Sequence, residues 1–231
     1  MKYELLVNIN PLGIDGELLD EKNQSQQLHV AFDQNEFANS VVEMDAFLNA
    51  VHAFLHQLEL KVAETDEISA INFKNIMHGW LALDENFEAV SPIMLGDQND
   101  EHFIEALMMN GIGGQLQRKT GVPLAVTSPL IMTLHLRNDN PEIYAKAQHY
   151  MTLNDYIVYR LFGKNVTDAA VAARTGLYNV ATQDWDGQAL ALTGVTKEQL
   201  PTLLPHDQLV NELVLTGLPQ AINQETNFKM D

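Results

Sequence analysis

The chain has 231 residues, 46% of them hydrophobic, which is enough to bury a sizeable core. Asp and Glu (31) outnumber Lys and Arg (13), and the formal net charge of −18 repels DNA, RNA and anionic membranes. We therefore exclude nucleic acids and membranes as partners. The absence of cysteine excludes disulfides and thiolate metal sites and favours a reducing compartment. The start "MKYELLVNIN" lacks the apolar run of a signal peptide, so we expect a cytoplasmic protein.

The first third of the chain changes from short extended runs to a helix. Turn residues separate three strand-like segments: Leu5–Ile9, Glu17–Asp20 and Leu28–Phe32. Between Met44 and Leu58, apolar residues recur at helical spacing, which predicts a helix that buries one face. Residues 68–73, "ISAINF", predict a buried strand, and residues 79–95 predict two extended runs joined by a turn.

From residue 98 onward the pattern indicates helices. Their starts are marked by a proline or by capping-box residues: Pro141, Thr152 with Asp155, and Thr196 with Gln199. Gly111 and Gly163 mark two helix ends. We therefore predict an α/β fold, a mixed β-sheet flanked by helices with a helical subdomain, in a single domain over residues 1–231.

Two motifs resemble functional sites but lack the context that those sites need. Residues 113–121, "GGQLQRKTG", approach the spacing of a Walker A loop, but a helix rather than a strand precedes them. His52 and His56 have the i, i+4 spacing of metal ligands, but no third ligand accompanies them. We therefore predict neither a phosphate loop nor a metal site.

Two polar residues follow apolar runs, at the place where ligand sites form in α/β sheets. His78 lies in "NIMHGW", directly after the predicted strand, and Asp97 lies in "LGDQND". Each residue has two interpretations at this point. His78 is either a ligand-binding group or a packed histidine in a turn, and Asp97 either binds a substrate hydroxyl or caps the following helix.

The segment 7–16, "VNINPLGIDG", looks like a phosphate-binding hairpin without its functional groups. Such a hairpin needs free backbone N–H groups, hydroxyls and a metal-binding carboxylate. Pro11 has no N–H, Leu12 has no hydroxyl, and Asn8 and Asn10 carry no charge. The pattern leaves open whether this is a degenerate nucleotide site or was never one.

The order of these segments resembles the FGGY family of carbohydrate kinases from about Lys2 to Pro205. Residues 71–100 are similar to the family's stretch with a Met-His-Gly segment before a Trp-x-Asp-x-Arg segment, and residues 116–129 to its Thr-Gly-x-Pro stretch. Residues 140–205 match most closely, through Arg174-Thr175-Gly176 among others. The Met-His pair resembles the xylulose and gluconate kinase branch.

The resemblance implies a ribonuclease-H-like (actin/hexokinase-type) fold and an amino-terminal sugar-binding domain. Met77, His78 and Asp97 would line the sugar pocket. The opening hairpin would correspond to the family's Asp-x-Gly-Thr-Thr phosphate and magnesium motif, and the complete enzyme would use MgATP to phosphorylate a sugar or sugar-acid hydroxyl.

Several positions depart from the family pattern. Asn8 stands where the family has its magnesium-associated Asp, Asn10 where it has Gly, and Pro11-Leu12 where it has Thr-Thr, so we interpret the motif as degenerate. In the Trp-x-Asp-x-Arg segment, Leu95 and Asn99 replace the Trp and the Arg around Asp97. In the family's central signature, Met132 and His135 replace a Lys and a Trp. No segment after Gln208 resembles the one that carries the family's catalytic base. We therefore expect no catalytic residue here and no second, ATP-binding domain.

Three interpretations of function follow from the resemblance. The chain is the amino-terminal half of a carbohydrate kinase and inactive alone, a non-catalytic module that binds a sugar or a partner, or a decaying gene product. On the first interpretation the chain alone has no cofactor, and its partners are a small sugar or sugar acid and a separate carboxy-terminal kinase half. We also expect a homodimer, with Leu209–Leu215 packed on the domain as a strand or covering segment.

Overall fold

The structure, a computed structural model, describes residues 1–32, 41–63, 65–208 and 213–230. The strands, in chain order, are β1 Lys2–Asn10, β2 Gly13–Asp20, β3 Ser25–Ala31, β4 Val41–Val42, β5 Glu67–Ile76, β6 Trp80–Leu83, β7 Ile93–Met94, β8 His149–Thr152, β9 Val166–Thr167, β10 Tyr178–Asn179, β11 Asp184–Trp185, β12 Thr202–Leu203 and β13 Asn227–Met230. The α-helices are α1 Met44–Lys61, α2 Glu101–Met109, α3 Ile112–Thr120, α4 Pro129–Asp139, α5 Pro141–Lys146, α6 Leu153–Phe162, α7 Ala169–Ala173 and α8 Gly187–Thr193.

A five-stranded mixed sheet forms one half of the molecule, with the strand order β13-β5-β1-β2-β3. β2 runs antiparallel to both of its neighbours, β1 and β3, whereas β5 runs parallel to both of its neighbours, β1 and β13. Alternate residues of β1, from Tyr3 to Ile9, are buried, as the period of a strand with one core face requires. Because β1 and β5 are parallel, their carboxyl ends meet at one edge of the sheet.

A second sheet, with the order β4-β7-β6-β8, lies between two hydrophobic cores. In β6, Leu81 and Leu83 pack in the same core as the five-stranded sheet, whereas Trp80 and Ala82 pack in a second core among the helices α2, α3, α4 and α8. Side chains of a strand alternate between its two faces, so this one short strand joins both cores.

The predicted helix signals are present in the structure. Thr152 and Asp155 form the capping box of α6, and Gly163 ends that helix in the left-handed region at φ 67°. Thr196 and Gln199 form a capping box that begins a 3₁₀ turn rather than an α-helix. The segment 113–121 lies largely in α3, so its backbone does not form a phosphate loop. No described helix is long and apolar enough to cross a membrane.

The segment predicted to cover the domain, Leu209–Leu215, lies partly outside the described residues, which omit 209–212. In the described part, Leu213 and Leu215 pack against the first core. The backbone N–H of Val214 donates to the Leu161 carbonyl at 2.9 Å, which fixes the segment at the end of α6. The prediction of a covering segment is confirmed for Leu213–Leu215.

Candidate substrate site

A cavity of about 230 Å³ opens at the carboxyl end of β5. Four stretches of chain line it: residues 75–79 after β5, residues 122–129 and Met132 before and within α4, Thr152 with Asn154 at the start of α6, and Val171 with Arg174 and Thr175 around the end of α7. The cavity therefore lies between the two cores, where elements far apart in sequence converge.

The loop Met77–Gly79 is held on both sides of His78. The Met77 N–H donates to the Ile9 carbonyl at 2.7 Å, and the Gly79 carbonyl accepts the Leu153 N–H at 2.9 Å. A side chain at Gly79 would lie 2.5 Å from Ile93 Cγ2, so this position has room only for glycine. His78 lines the cavity, and its binding of a ligand stays a prediction.

His78 and Arg174 give the cavity its electrostatic character. Partial burial, and then the positive charge of Arg174, lower the pKa of His78 below its usual value. A neutral imidazole both donates and accepts a hydrogen bond, which suits a hydroxyl ligand. The Arg174 Nε donates to the Ala170 carbonyl at 3.3 Å, and among the described residues no carboxylate pairs with its guanidinium. The wall therefore presents a cation that no carboxylate of the described residues pairs with, in a chain of net charge −18.

Asp97 lines a neighbouring cavity of about 280 Å³ rather than the one beside His78. Its carboxylate accepts the Asn99 N–H at 2.9 Å and caps the short 3₁₀ turn before α2. Met77 and His78 line the first cavity together, and Met132 lines both cavities. Binding of one ligand by both His78 and Asp97 stays a prediction.

The hairpin between β1 and β2 uses its polar groups internally. The Asn10 Oδ1 accepts the Leu12 N–H at 2.8 Å, and the Asn10 Nδ2 donates to Asp15 Oδ2 at 2.8 Å. Asp15 stands opposite Asn8 in the ladder and also contacts His29 Nδ1 through its other oxygen at 2.6 Å. Since the turn's Leu12 N–H is already bonded and Pro11 has none, these residues do not fit a phosphate cradle or a magnesium site.

The sequence did not reveal the contribution of Arg174 to the cavity. It follows a helix of five residues, α7, which is too short to show a periodic pattern. A weak signal existed in Asp168, whose carboxylate caps α7 by accepting the Val171 N–H at 2.8 Å. That cap predicts a helix start but gives no information on what the helix faces.

The model of the FGGY family of carbohydrate kinases, N-terminal domain, matches residues 15–223. The gluconokinase of Bacillus subtilis is 32% identical over 163 residues, which is 70% of this chain and 32% of that protein. The xylulose kinase of Staphylococcus xylosus is 26% identical over 151 residues, 64% of this chain and 31% of that protein.

Solved structures share the fold over the whole chain. The gluconate kinase from Lactobacillus acidophilus superposes with a TM-score of 0.85 at 24% identity, and the ligand-bound xylulose kinase from the same species with a TM-score of 0.86 at 24% identity. Each match covers 100% of this chain and 48% of the other, so the chain spans about half the length of these kinases. The predicted ribonuclease-H-like α/β fold is confirmed, and the chain belongs to the FGGY family of carbohydrate kinases, of which it carries the N-terminal domain.

Proposed function

We propose that this chain is the substrate-binding half of a carbohydrate kinase and that the cavity beside His78 binds a small sugar acid. The observation that carries the proposal is the Arg174 guanidinium, which no described carboxylate pairs with, next to the neutral imidazole of His78. Hydroxyls of the ligand would bond to His78, and its carboxylate would bind Arg174. Charge-assisted hydrogen bonds to a carboxylate are the strong ones, so they decide between an acid and a neutral sugar.

The size and polarity of the cavity support a small polyhydroxy ligand. Its volume of about 230 Å³ corresponds to roughly eight waters at ~30 Å³ each, and its wall combines polar and apolar groups. The name gluconokinase, given to the Bacillus subtilis relative, agrees with an acidic sugar but describes that protein. Gluconate is therefore the first ligand to test.

Calorimetric titration of the purified chain tests this ligand class. We expect D-gluconate to bind more tightly than xylitol, a neutral polyol. Replacing Arg174 by Gln should weaken gluconate binding about tenfold or more, since a hydrogen bond to a charged group contributes about 1.5–3 kcal/mol, and should leave xylitol binding unchanged. Arg118→Gln is the matched control, because Arg118 is an exposed arginine on α3 that does not line the cavity. Equal loss in both variants, or no preference for the acid, contradicts the proposal.

A non-catalytic role for the chain alone is the second candidate, and the closed hairpin favours it. MgATP would be the cofactor of the complete enzyme, yet the only N–H of the Pro11-Leu12 turn is already bonded. We expect no sugar-dependent release of ADP from ATP by residues 1–231 with gluconate, xylulose or glycerol, as a coupled assay would measure. Activity that a substitution within this chain abolishes would contradict this expectation.

A further inference from the structure

Three metal-ligating side chains converge at the second cavity, near the carboxyl end of α4. His135 Nδ1 lies 2.9 Å from Asp100 Oδ1 and 3.5 Å from Asp139 Oδ2. The three ligand atoms all lie within 4.8 Å of one another. Asp100 is buried, His135 is partly buried, and Asp139 is 51% exposed, so the group runs from the core to the surface.

These distances match the edges of a metal coordination shell. Ligand atoms at about 2.1 Å from a tetrahedral ion stand roughly 3.4 Å apart. The two measured separations from His135 Nδ1 lie on either side of that value. Only small side-chain movements are therefore needed to place one ion between the imidazole and the two carboxylates.

The charged groups around the three side chains favour the binding of a cation. Asp97, Asp100 and His135 line a cavity of about 280 Å³, and no lysine or arginine of the described part of the chain lines it. Among the described residues, neither carboxylate of the cluster pairs with a lysine or arginine. A buried carboxylate needs a compensating charge, and among the described residues the His135 imidazole is the side chain bonded to the Asp100 carboxylate. The cavity also leaves space for water on the open side of an ion.

Asn140 holds the far side of the imidazole. Its Nδ2 lies 2.9 Å from His135 Nε2. With the amide oxygen turned toward the ring, Nε2–H donates to it, and Nδ1 becomes free to bind a metal. A metal-binding histidine usually donates its second N–H to such a carbonyl or carboxylate. Rotating the Asn140 amide by 180° exchanges Nδ2 and Oδ1 at the same position, which supplies that acceptor.

We propose that Asp100, His135 and Asp139 form a binding site for a divalent transition-metal ion of the Zn²⁺ type, with a fourth position open to the cavity. One imidazole nitrogen and two carboxylate oxygens suit Zn²⁺ or Co²⁺ better than Mg²⁺, which prefers oxygen ligands alone. The site is independent of the sugar-acid proposal, since Arg174 and His78 are not among its residues. No spacing pattern in the sequence predicted this metal site, because Asp100 is 35 residues from His135.

Titration of the purified chain with Zn²⁺ and with Co²⁺ tests the site. We expect one equivalent to bind, a rise in the melting temperature, and visible absorption bands of bound Co²⁺. Asp139→Asn and His135→Gln should each weaken binding at least tenfold. Asp139 is half exposed, so its variant keeps the fold, which circular dichroism verifies.

The matched control is His29→Gln. His29 and Asp15 form a similar pair at 2.6 Å but do not belong to the three-ligand group, so this variant should bind the metal unchanged. Failure of the native chain to bind either ion at micromolar concentration overturns the proposal. Binding that survives both cluster variants but is lost in His52→Gln or His56→Gln also overturns it, because the ion would then lie on α1.

Discussion

Asp155 shows how a single buried carboxyl group couples the fold to pH. Its Oδ2 accepts the Thr152 hydroxyl at 2.7 Å and the Thr152 N–H at 3.3 Å, which completes the capping box of α6. Burial raises the pKa of Asp155 to about 7, and the negative charge of Asp168 adds to the increase, against the effect of the hydrogen bonds from Thr152. The sequence predicted the cap correctly but gave no sign of the altered pKa.

The raised pKa predicts that stability falls as the pH rises. Below the ordinary value of 3.8, the carboxyl group is protonated in the folded and unfolded states alike. Between about 4 and about 7 the unfolded chain releases this proton while the folded chain keeps it, so the free energy of unfolding decreases, and above about 7 the effect is constant. Asp155→Asn removes this contribution.

Urea unfolding of both proteins between pH 4 and pH 8 measures the difference. We expect the free energy of unfolding of the native chain to fall across this window relative to that of Asp155→Asn, with most of the relative loss complete by pH 7. Other titrating groups affect both proteins equally and cancel in the comparison. Parallel curves for the two proteins would show that Asp155 does not titrate there.

At the scale of elements, Gly96 sets the distance between β7 and the loop before α4. Its φ of 97° lies in a region that side chains disfavour, and an added Cβ would lie 2.6 Å from the Val126 carbonyl oxygen. Gly96 lines the second cavity, whereas Thr127 lines the first. The close approach of these two backbones therefore helps to form the partition between the cavities.

Gly96→Ala should destabilise the chain by about 2–4 kcal/mol, because both the backbone conformation and the contact with Val126 are strained. Gly187→Ala is the matched control. Gly187 is the first residue of α8 and has no atom within 4 Å of an added Cβ, so we expect a change between zero and a gain of about 1 kcal/mol. Denaturant midpoints of the two variants give the comparison, and equal midpoints would contradict it.

Local signals explain which elements the sequence predicted. The alternation in β1, the helical spacing in α1 and the caps of α6 are short-range features, and each lies where expected. Helix α4 was missed because every residue from Pro129 to Leu134 is buried, so the segment has no polar face and no amphipathic period. Strands β6 and β8 pair through residues about 70 positions apart in the sequence, such as Trp80 opposite Thr152. Short-range patterns cannot predict such a pairing.

The candidate site was predictable only in part for the same reason. His78 follows a strand, and the rule that ligands bind at the carboxyl ends of strands predicted it as a site residue; the structure shows it lining the cavity. Arg174 comes to the same cavity through a five-residue helix, and His135 and Asp100 meet from separate helical segments. Residues brought together by tertiary packing leave no spacing pattern in a single sequence.

At the scale of the whole molecule, the five-stranded sheet has two unlike faces. Helices α1 and α6 lie on the face that carries Leu5, Val7 and Ile71, where an apolar cavity of about 210 Å³ remains between them. The opposite face carries the alternate residues of the strands, such as Glu4 and Asp15, which are exposed or partly buried. Two apolar residues, Leu6 and Leu19, also lie on this face. This second face is therefore mixed in polarity.

The homodimer expected from the sequence stays a prediction, and this second face is the surface on which we place it. Two chains of charge −18 repel each other at low salt, whereas a contact that includes Leu6 and Leu19 would be attractive over short distances. Because added salt screens the repulsion, with a Debye length of about 10 Å at 0.1 M, the dimer fraction should rise with salt. Light scattering over a range of protein and salt concentrations measures it. Leu19→Glu should abolish the dimer, whereas Leu60→Glu, at a leucine of α1 that is 75% exposed, should not. A strict monomer under all these conditions would show that the mixed, largely polar second face is stable in contact with solvent.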